Sequence, residues 1–142
     1  MSQFLIGTLM GLASFFVYEF GGQIEGRLFP VMGTLEIHDP EETADRSVTK
    51  WKGHAEKLRN CNFVRLEWYL GPRNGRHVIV DREAAFTDRP QIRSTGRLHW
   101  EGILVHLSPK ATRENSFADV IHRCPWRPWE VRTRFYTSAN HG

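Results

Sequence analysis

The apolar and polar positions of this chain follow two different patterns. Residues 4–20, FLIGTLMGLASFFVYEF, contain one charged residue, Glu19. A helix of this length covers roughly 26 Å, close to the ~30 Å hydrocarbon thickness of a bilayer. From residue 34 onward, apolar residues alternate with polar residues in short runs, which is the period of half-buried strands. The pattern predicts one N-terminal transmembrane α-helix followed by an all-β domain.

The apolar run lacks two features of a cleavable signal peptide, a basic start and a small-x-small exit. Residues 1–3 contain neither Lys nor Arg, and the run ends in Val17-Tyr18-Glu19-Phe20. We therefore predict an uncleaved membrane anchor, and the alternative is a segment that is removed near residue 20. The residues expected to contact lipid are Phe4, Leu5, Ile6, Leu9, Met10, Leu12, Phe15, Phe16 and Val17.

Two glycines inside the apolar run have a spacing that favours helix association. Gly7 and Gly11 form a G-x-x-x-G pattern, which lets two membrane helices approach closely. The pattern predicts a homo-oligomer that forms within the bilayer. The alternative is that these glycines reflect only the general frequency of small residues in membrane helices.

The clearest strand pattern lies in residues 63–70, FVRLEWYL. One face carries Val64, Leu66, Trp68 and Leu70, and the other carries Arg65 and Glu67. The dipeptide Asn74-Gly75 follows and favours a hairpin turn. Residues 77–80, HVIV, are therefore predicted to return as the partner strand.

A second run, residues 98–107, changes parity in its middle. Leu98 and Trp100 share one parity, whereas Ile103 and Val105 share the other. One extra residue at Glu101-Gly102 reconciles the two halves, which predicts a β-bulge. The other predicted strands are residues 34–38, 47–58, 117–124 and 130–136. The stretch 47–58 also fits helical spacing, and Asp39-Pro40 favours a turn after the first strand.

Six or seven short strands predict an antiparallel β-sandwich, with an immunoglobulin-like topology as one option. Trp68 lies closer to Cys61 than the immunoglobulin arrangement normally allows. The predicted division of the chain is a transmembrane anchor over 1–22, a linker over 23–33, a β-sandwich domain over 34–137 and a polar tail over 138–142.

The two cysteines, Cys61 and Cys124, lie in or beside predicted strands. A disulfide between them would close a loop of about 60 residues and stabilise the folded state by about 4 kcal/mol in the chain-entropy model. The alternative is two separate buried thiols. An oxidised pair requires an oxidising compartment. The predicted topology therefore has the N-terminus in the cytoplasm and the C-terminal domain in the periplasm or outside the cell.

The sequence carries no motif that indicates an enzyme, a metal or a cofactor. Its seven histidines include His99, His106 and His122 on predicted strands, but their spacing does not match a zinc site. No nucleophile-elbow signature is present. Lys and Arg exceed Asp and Glu by only 19 to 16, so nucleic acid is not an expected partner.

Residues 123–134 combine arginine with tryptophan. The set expected to form a binding patch is Arg123, Trp126, Arg127, Trp129, Arg132 and Arg134. Guanidinium groups and indole rings together suit an anionic glycan, lipid headgroups or an acidic protein surface. In the alternative interpretation, which we favour, the tryptophans close one end of the domain. The arginines then pair with Glu67, Asp119 and Glu130 across strands.

Two stretches resemble small, uncharacterised membrane-anchored proteins encoded by tailed bacteriophages and prophages. They are residues 57–71, KLRNCNFVRLEWYLG, and residues 122–136, which run from His122-Arg123-Cys124 to Phe135-Tyr136. The resemblance covers about half of the chain. It implies a bacterial envelope and carries over no functional residue, because it implies no known function.

These observations predict a non-enzymatic, single-pass envelope protein that presents a β-sandwich to the periplasm or cell exterior. Its expected partners are the lipid bilayer and another protein or envelope component. The alternative is a virion or secreted binding module whose Arg/Trp hairpin, residues 123–134, recognises an anionic polymer. A third option, a periplasmic hydrolase, would need a histidine in a cleft.

Overall fold

The computed structural model describes residues 2–44, 47–72, 75–81, 85–86 and 94–138. Within them, helix α1 covers Ser2–Leu28 and a short helix α2 covers Pro109–Glu114. The strands are β1 Glu36–Glu42, β2 Thr49–Lys57, β3 Asn62–Leu70, β4 Val78–Asp81, β5 Ala85–Phe86, β6 Gly96–Val105, β7 Ser116–Arg123 and β8 Glu130–Thr137. The chain is thus an apolar helix followed by strands, as its pattern predicts.

The strands form two antiparallel four-stranded sheets. Sheet A has the order β1-β2-β6-β5, and sheet B has the order β4-β3-β7-β8. Alternation turns Trp51 and Ile103 of sheet A and Leu66, Trp68 and Phe135 of sheet B inward, where each is at most 1% exposed. These side chains belong to one hydrophobic core. The predicted all-β, antiparallel class is confirmed.

Strand β6 contains the predicted bulge. Trp51 of β2 lies opposite Ile103, whereas Gly53, two residues later on β2, lies opposite Trp100, three residues earlier on β6. The extra residue at Glu101-Gly102 lets Trp100 and Ile103 both point into the core despite their opposite parity.

The predicted hairpin between β3 and β4 is also present. Leu70 lies opposite Val78 and Tyr69 lies opposite Ile79. Asn74 of the predicted turn dipeptide lies outside the described residues.

Strand β3 differs from its predicted pattern at one residue. Val64 was expected on the core face with Leu66, but it is 38% exposed. The register of β3 against β7 shifts between Phe63 and Arg65. Period-two counting fails at Val64 because this irregularity inserts an extra residue.

Strand β1 does not end in a turn at Asp39-Pro40. It continues to Glu42, with an irregular register against β2 between His38 and Glu41. Asp39 has a φ of 47°, a backbone conformation that short polar residues such as Asp adopt more readily than most. The turn-forming dipeptide therefore produces a bulge within a strand.

A short segment before β1 connects the two sheets along one side. The Gly33 amide donates to the Glu56 carbonyl of sheet A at 2.8 Å, and the Leu35 amide donates to the Phe135 carbonyl of sheet B at 2.6 Å. Residues 31–35 thus cover part of the outer edge of β8, which would otherwise present unpaired backbone groups.

The predicted disulfide between Cys61 and Cys124 is present, with Cα atoms 4.3 Å apart. Asn62 of β3 lies opposite Arg123 of β7. Cys61 directly precedes Asn62, and Cys124 directly follows Arg123. The bridge therefore lies within sheet B. An immunoglobulin disulfide joins two different sheets, so the immunoglobulin-like topology is not confirmed.

Helix α1 ends at Leu28, six residues beyond the predicted end of the anchor. The stretch Leu5–Leu28 is long and apolar enough to cross a membrane by length and composition. Residues 23–28 of the predicted linker are helical. Residues 139–142 of the predicted tail lie outside the described residues.

Candidate functional site

Helix α1 divides into two halves by what surrounds it. Residues 2–20, the free half, carry large apolar side chains that are exposed wherever side chains are described. Eight of the nine predicted anchor residues are among them, and the side chain of Phe4 lies outside the described part. These are Leu5, Ile6, Leu9, Met10, Leu12, Phe15, Phe16 and Val17. Residues 21–28, the docked half, pack against β8.

Two glycines allow the docked half to reach the backbone of β8. A Cβ atom at Gly22 would overlap the carbonyl of Glu130, and a Cβ atom at Gly26 would overlap the carbonyl of Arg132. Four helical residues rise about 6 Å and two strand residues about 6.6 Å, so both contacts fit at once. The helix therefore runs along β8 in the same direction, with glycine at each point of closest approach.

Glu25 fixes the docked half to two loops of the domain. Its carboxylate is 9% exposed and accepts hydrogen bonds from Arg59 Nη2 at 2.7 Å and Trp129 Nε1 at 2.8 Å. Arg127 Nε lies 3.3 Å from the same carboxylate. Arg59 lies between β2 and β3, and the other two lie between β7 and β8. A single helical carboxylate thus holds both loops, and its burial is compensated by cations.

A polar network covers the outer face of sheet B beside the docked half. Arg132 Nη1 donates to Glu67 at 2.6 Å, and the Tyr69 hydroxyl also donates to Glu67 at 2.6 Å. Arg134 Nε lies 2.8 Å from Asp119. Burial favours a raised pKa for Glu67, but hydrogen bonds from Tyr69, Arg65 and Arg132 lower it below its ordinary value. Burial and the bond to Glu67 raise the pKa of Tyr69. The face is therefore charged and largely self-paired.

A cleft of about 280 Å³ opens between this face and α1. One wall is aromatic: the Tyr69 and Phe117 rings stack with centroids 4.7 Å apart, and His77 meets Phe117 edge-on at 5.2 Å. The Arg134 guanidinium lies 4.2 Å from the centroid of Phe117. The lining residues are Gln23, Arg27, Tyr69, His77, Phe117, Asp119, Arg132 and Arg134. Arg132 and Arg134 are paired with Glu67 and Asp119. Arg27 adds a further positive charge to the lining, which suits an anionic or hydrogen-bond-accepting group.

The structure separates the predicted binding patch into two groups. Arg132 and Arg134 line the cleft. The other four residues, Arg123, Trp126, Arg127 and Trp129, lie at the β7–β8 loop where α1 reaches the domain. Three pairs of the favoured alternative interpretation are present, namely Arg132–Glu67, Arg134–Asp119 and Arg123–Glu130. Its tryptophans do not both close the end of the domain: Trp129 packs against the core, but Trp126 is 99% exposed.

The contribution of α1 to this site was missed from the sequence. Glu25 and Arg27 were assigned to a linker. In the structure, Glu25 binds the two loops of the domain, and Arg27 lines one side of the cleft. The available signal was Gly22 and Gly26, four residues apart, with apolar Ile24 and Leu28 continuing the helical pattern between and beyond them.

The three histidines named from the sequence occupy separate environments. His99 and His106 are exposed, whereas His122 is buried beside the Phe63 ring. The His99 ring instead neighbours His54, which neighbours His38 across β1, β2 and β6. Among the described residues, no group of His, Cys, Asp or Glu has the arrangement to hold a metal ion.

Comparison of the chain with protein-family models, with curated proteins and with solved structures finds no match.

Proposed function

We propose that this protein is a non-enzymatic, single-pass envelope protein with its N-terminus in the cytoplasm. The free half of α1 spans the bilayer. A disulfide-braced β-sandwich, formed by sheets A and B, faces the periplasm or cell exterior as a binding domain. In a prophage setting, such a domain would alter the host surface or assist lysis.

The observation that carries the proposal is the contrast in exposure along α1. The domain leaves the apolar side chains of residues 5–20 uncovered, whereas it packs on one face of residues 21–28, where Gly22, Glu25 and Gly26 are buried while Ile24 and Leu28 stay exposed. The uncovered apolar area in water would be unfavourable. Nineteen helical residues, 2–20, extend about 28 Å, which matches the ~30 Å hydrocarbon core. The bilayer is therefore the environment that suits this half of the helix.

The disulfide supports the orientation of the domain. Cys61 and Cys124 are paired with each other, and such structural bridges persist in oxidising compartments. A domain that faces the cytoplasm would meet thiol-reducing conditions there.

The cleft between α1 and sheet B is the surface on which a binding role rests. It lies beside the docked half, so a ligand in it would contact both Arg27 of α1 and Arg132 of β8. Arg27 has exposed surface. The expected ligand is an envelope component or protein that carries an anionic group.

The anchor and its orientation are tested by expression in a bacterium. We expect the intact chain, with residues 1–20 retained by mass spectrometry, in carbonate-washed membranes. An impermeant thiol reagent should label the domain only after reduction. A Leu9→Lys, Leu12→Lys variant should leave the membrane fraction, because each charge at mid-bilayer costs about 3 kcal/mol. The matched control, His106→Lys on the exposed surface of the domain, should remain membrane-bound.

Soluble wild-type protein with free thiols would contradict the proposal, and so would cleavage near residue 20. The binding role has its own test, a photo-crosslinking residue at Gln23 in the cleft compared with one at the exposed His106, which follows β6 of sheet A and does not line the cleft. Capture of one envelope component by position 23 and not by position 106 is the expected result. Identical products at both positions would count against a specific cleft ligand.

A further inference from the structure

The β7–β8 loop lies at the level where α1 leaves the domain. The Gly21 backbone meets the Trp129 ring, with 3.0 Å from a Cβ position to that ring, and Gly22 meets Glu130 at the start of β8. Because α1 runs along β8 in the same direction, the free half projects beyond this end of the strand. Residues 2–20 cover about 28 Å, so the bilayer surface falls near Gly21 and hence near this loop.

Trp126, at the tip of the loop, is held in an unusual way. The Arg127 amide donates to the Cys124 carbonyl at 3.4 Å, which closes a four-residue turn with Pro125 second and Trp126 third. Trp126 has a φ of 65°. A turn with proline second and a positive φ third is type II, in which glycine or asparagine is preferred at the third position. A bulky residue in that position carries steric strain.

The Trp126 side chain is 99% exposed. Neither the turn geometry nor the packing of the domain therefore accounts for a tryptophan there. The neighbouring cations are also partly exposed: Arg123 pairs with Glu130 and Arg127 with Glu25, yet their side chains are 68% and 49% accessible. An indole flanked by guanidinium groups suits the boundary between acyl chains and phosphate headgroups, where tryptophan is enriched.

We infer that the loop is a second membrane contact, in which Trp126 inserts at the headgroup–acyl boundary of the phospholipid bilayer beside α1. This inference rests on the proposed anchor. With α1 docked through Gly22, Gly26 and Glu25, the loop contact fixes the domain upright on the membrane and sets the height of the cleft above it. The occupant of this surface is phospholipid, and the disulfide at Cys124 holds the base of the loop.

The test uses the full chain in phosphatidylethanolamine–phosphatidylglycerol vesicles. Trp126→Gly serves as the spectral blank, because glycine is preferred at that turn position and the fold should be retained. The fluorescence difference between wild type and Trp126→Gly isolates the emission of Trp126. We expect this emission to be quenched by phospholipid brominated near the glycerol end, and less by lipid brominated at mid-chain. Aqueous iodide should reach it poorly.

A parallel carbonate wash separates the two ways of failing. If the protein stays in the vesicles but Trp126 emission is quenched by iodide and not by brominated lipid, the loop contact is wrong and the anchor stands. If the wash removes the protein, the proposed membrane anchor is wrong, and the proposed loop contact, which rests on it, is wrong as well. In detergent, Trp126→Gly should unfold at a urea concentration no lower than that of wild type, because glycine removes the strain of the positive φ. That result excludes a folding defect as the cause of any difference.

Discussion

The two halves of α1 carry the same glycine spacing and use it differently. Around Gly7 and Gly11 of the free half, a Cβ atom would meet nothing within 4 Å, whereas at Gly22 and Gly26 of the docked half it would overlap carbonyls of β8. The free half therefore keeps a surface for lipid or for another helix. In the docked half, the surface formed by Gly22 and Gly26 is already occupied by β8 of the same chain.

The difference shows that the G-x-x-x-G spacing alone does not tell whether a glycine pair faces the bilayer or packs against the protein's own domain. What separates the halves is the residue between the glycines. Glu25 lies in the docked half and finds Arg59, Arg127 and Trp129, whereas residues 8–10 of the free half are Thr8, Leu9 and Met10. A carboxylate between the two glycines would raise the free energy of a helix in lipid, but it is stabilised where two guanidinium groups face it.

The largest expected effect falls on the domain to which the helix docks. Replacing both Cys61 and Cys124 with alanine should lower the free energy of unfolding by about 4 kcal/mol, because the unfolded chain regains the entropy of a long loop. Urea unfolding in detergent measures this loss. The free half should stay membrane-bound in the same variant. Equal stability with and without the bridge would show that the sheets alone hold the docking surface.

The next effect is a pH dependence located in β7. His122 is 2% exposed, and burial, followed by the charge of Lys57, lowers its pKa to about 4. An unfolded chain binds this proton near pH 6.5, so it holds more protons than the folded domain between these values. Stability should therefore fall as the pH drops from about 6.5 to about 4, by up to about 3 kcal/mol.

Urea titrations across that pH range check this slope. His122→Phe should flatten it, while Gly26→Ala should leave it unchanged, because the proton belongs to the domain and not to the docked helix. An unaltered slope in His122→Phe would assign the acid sensitivity to another group.

A smaller effect compares the glycine pairs directly. Gly26→Ala should lower the free energy of unfolding by about 2 kcal/mol, because the new methyl group overlaps the Arg132 carbonyl and α1 must shift. Gly11→Ala should lose nothing, since its position is open and alanine improves helix propensity by about 1 kcal/mol. Equal effects at both positions in detergent would contradict the docking of residues 21–28.

The smallest effect compares the two helical glutamates. Glu25→Gln keeps the size of the side chain and removes the anion that faces Arg59 and Arg127, so we expect a loss of about 1 kcal/mol. The side chains of Arg59 and Arg127 are partly exposed and can be hydrated when the anion is removed, which limits the loss of stability. Glu19→Gln in the exposed free half should be neutral within the error of the same urea titration. A larger loss at position 19 would reverse the assignment of the two halves.

Much of the sheet structure could be read from the chain. Period-two alternation located β3, β6 and β8, and a parity change located the bulge at Glu101-Gly102. Strands β2 and β7 were also predicted, β2 against a helical alternative. Helix α2 was missed, although Ser108-Pro109 is a helix start in which Ser108 accepts from the Ala111 amide. Six residues are too short for a hydrophobic period to show.

The candidate site was harder to predict because it depends on contacts between distant segments. The carboxylates that pair with Arg132 and Arg134 of β8 were predicted correctly as Glu67 of β3 and Asp119 of β7. Both lie on strands of the same sheet, where alternation places them on the face of the arginines. Nothing in the local pattern placed Gln23 and Arg27 over them. That placement follows from the register of Gly22 and Gly26 on β8, which is a tertiary fit.

The most direct test of the division of α1 is the depth of nitroxide spin labels along it in lipid bilayers. Labels at Leu12 and Phe16 of the free half should be relaxed by oxygen dissolved in lipid and shielded from a water-soluble nickel complex. Labels at Gln23 and Arg27 of the docked half should show the reverse. Water access at positions 12 and 16, or lipid-like values at 23 and 27, would contradict a helix that spans with one half and docks with the other.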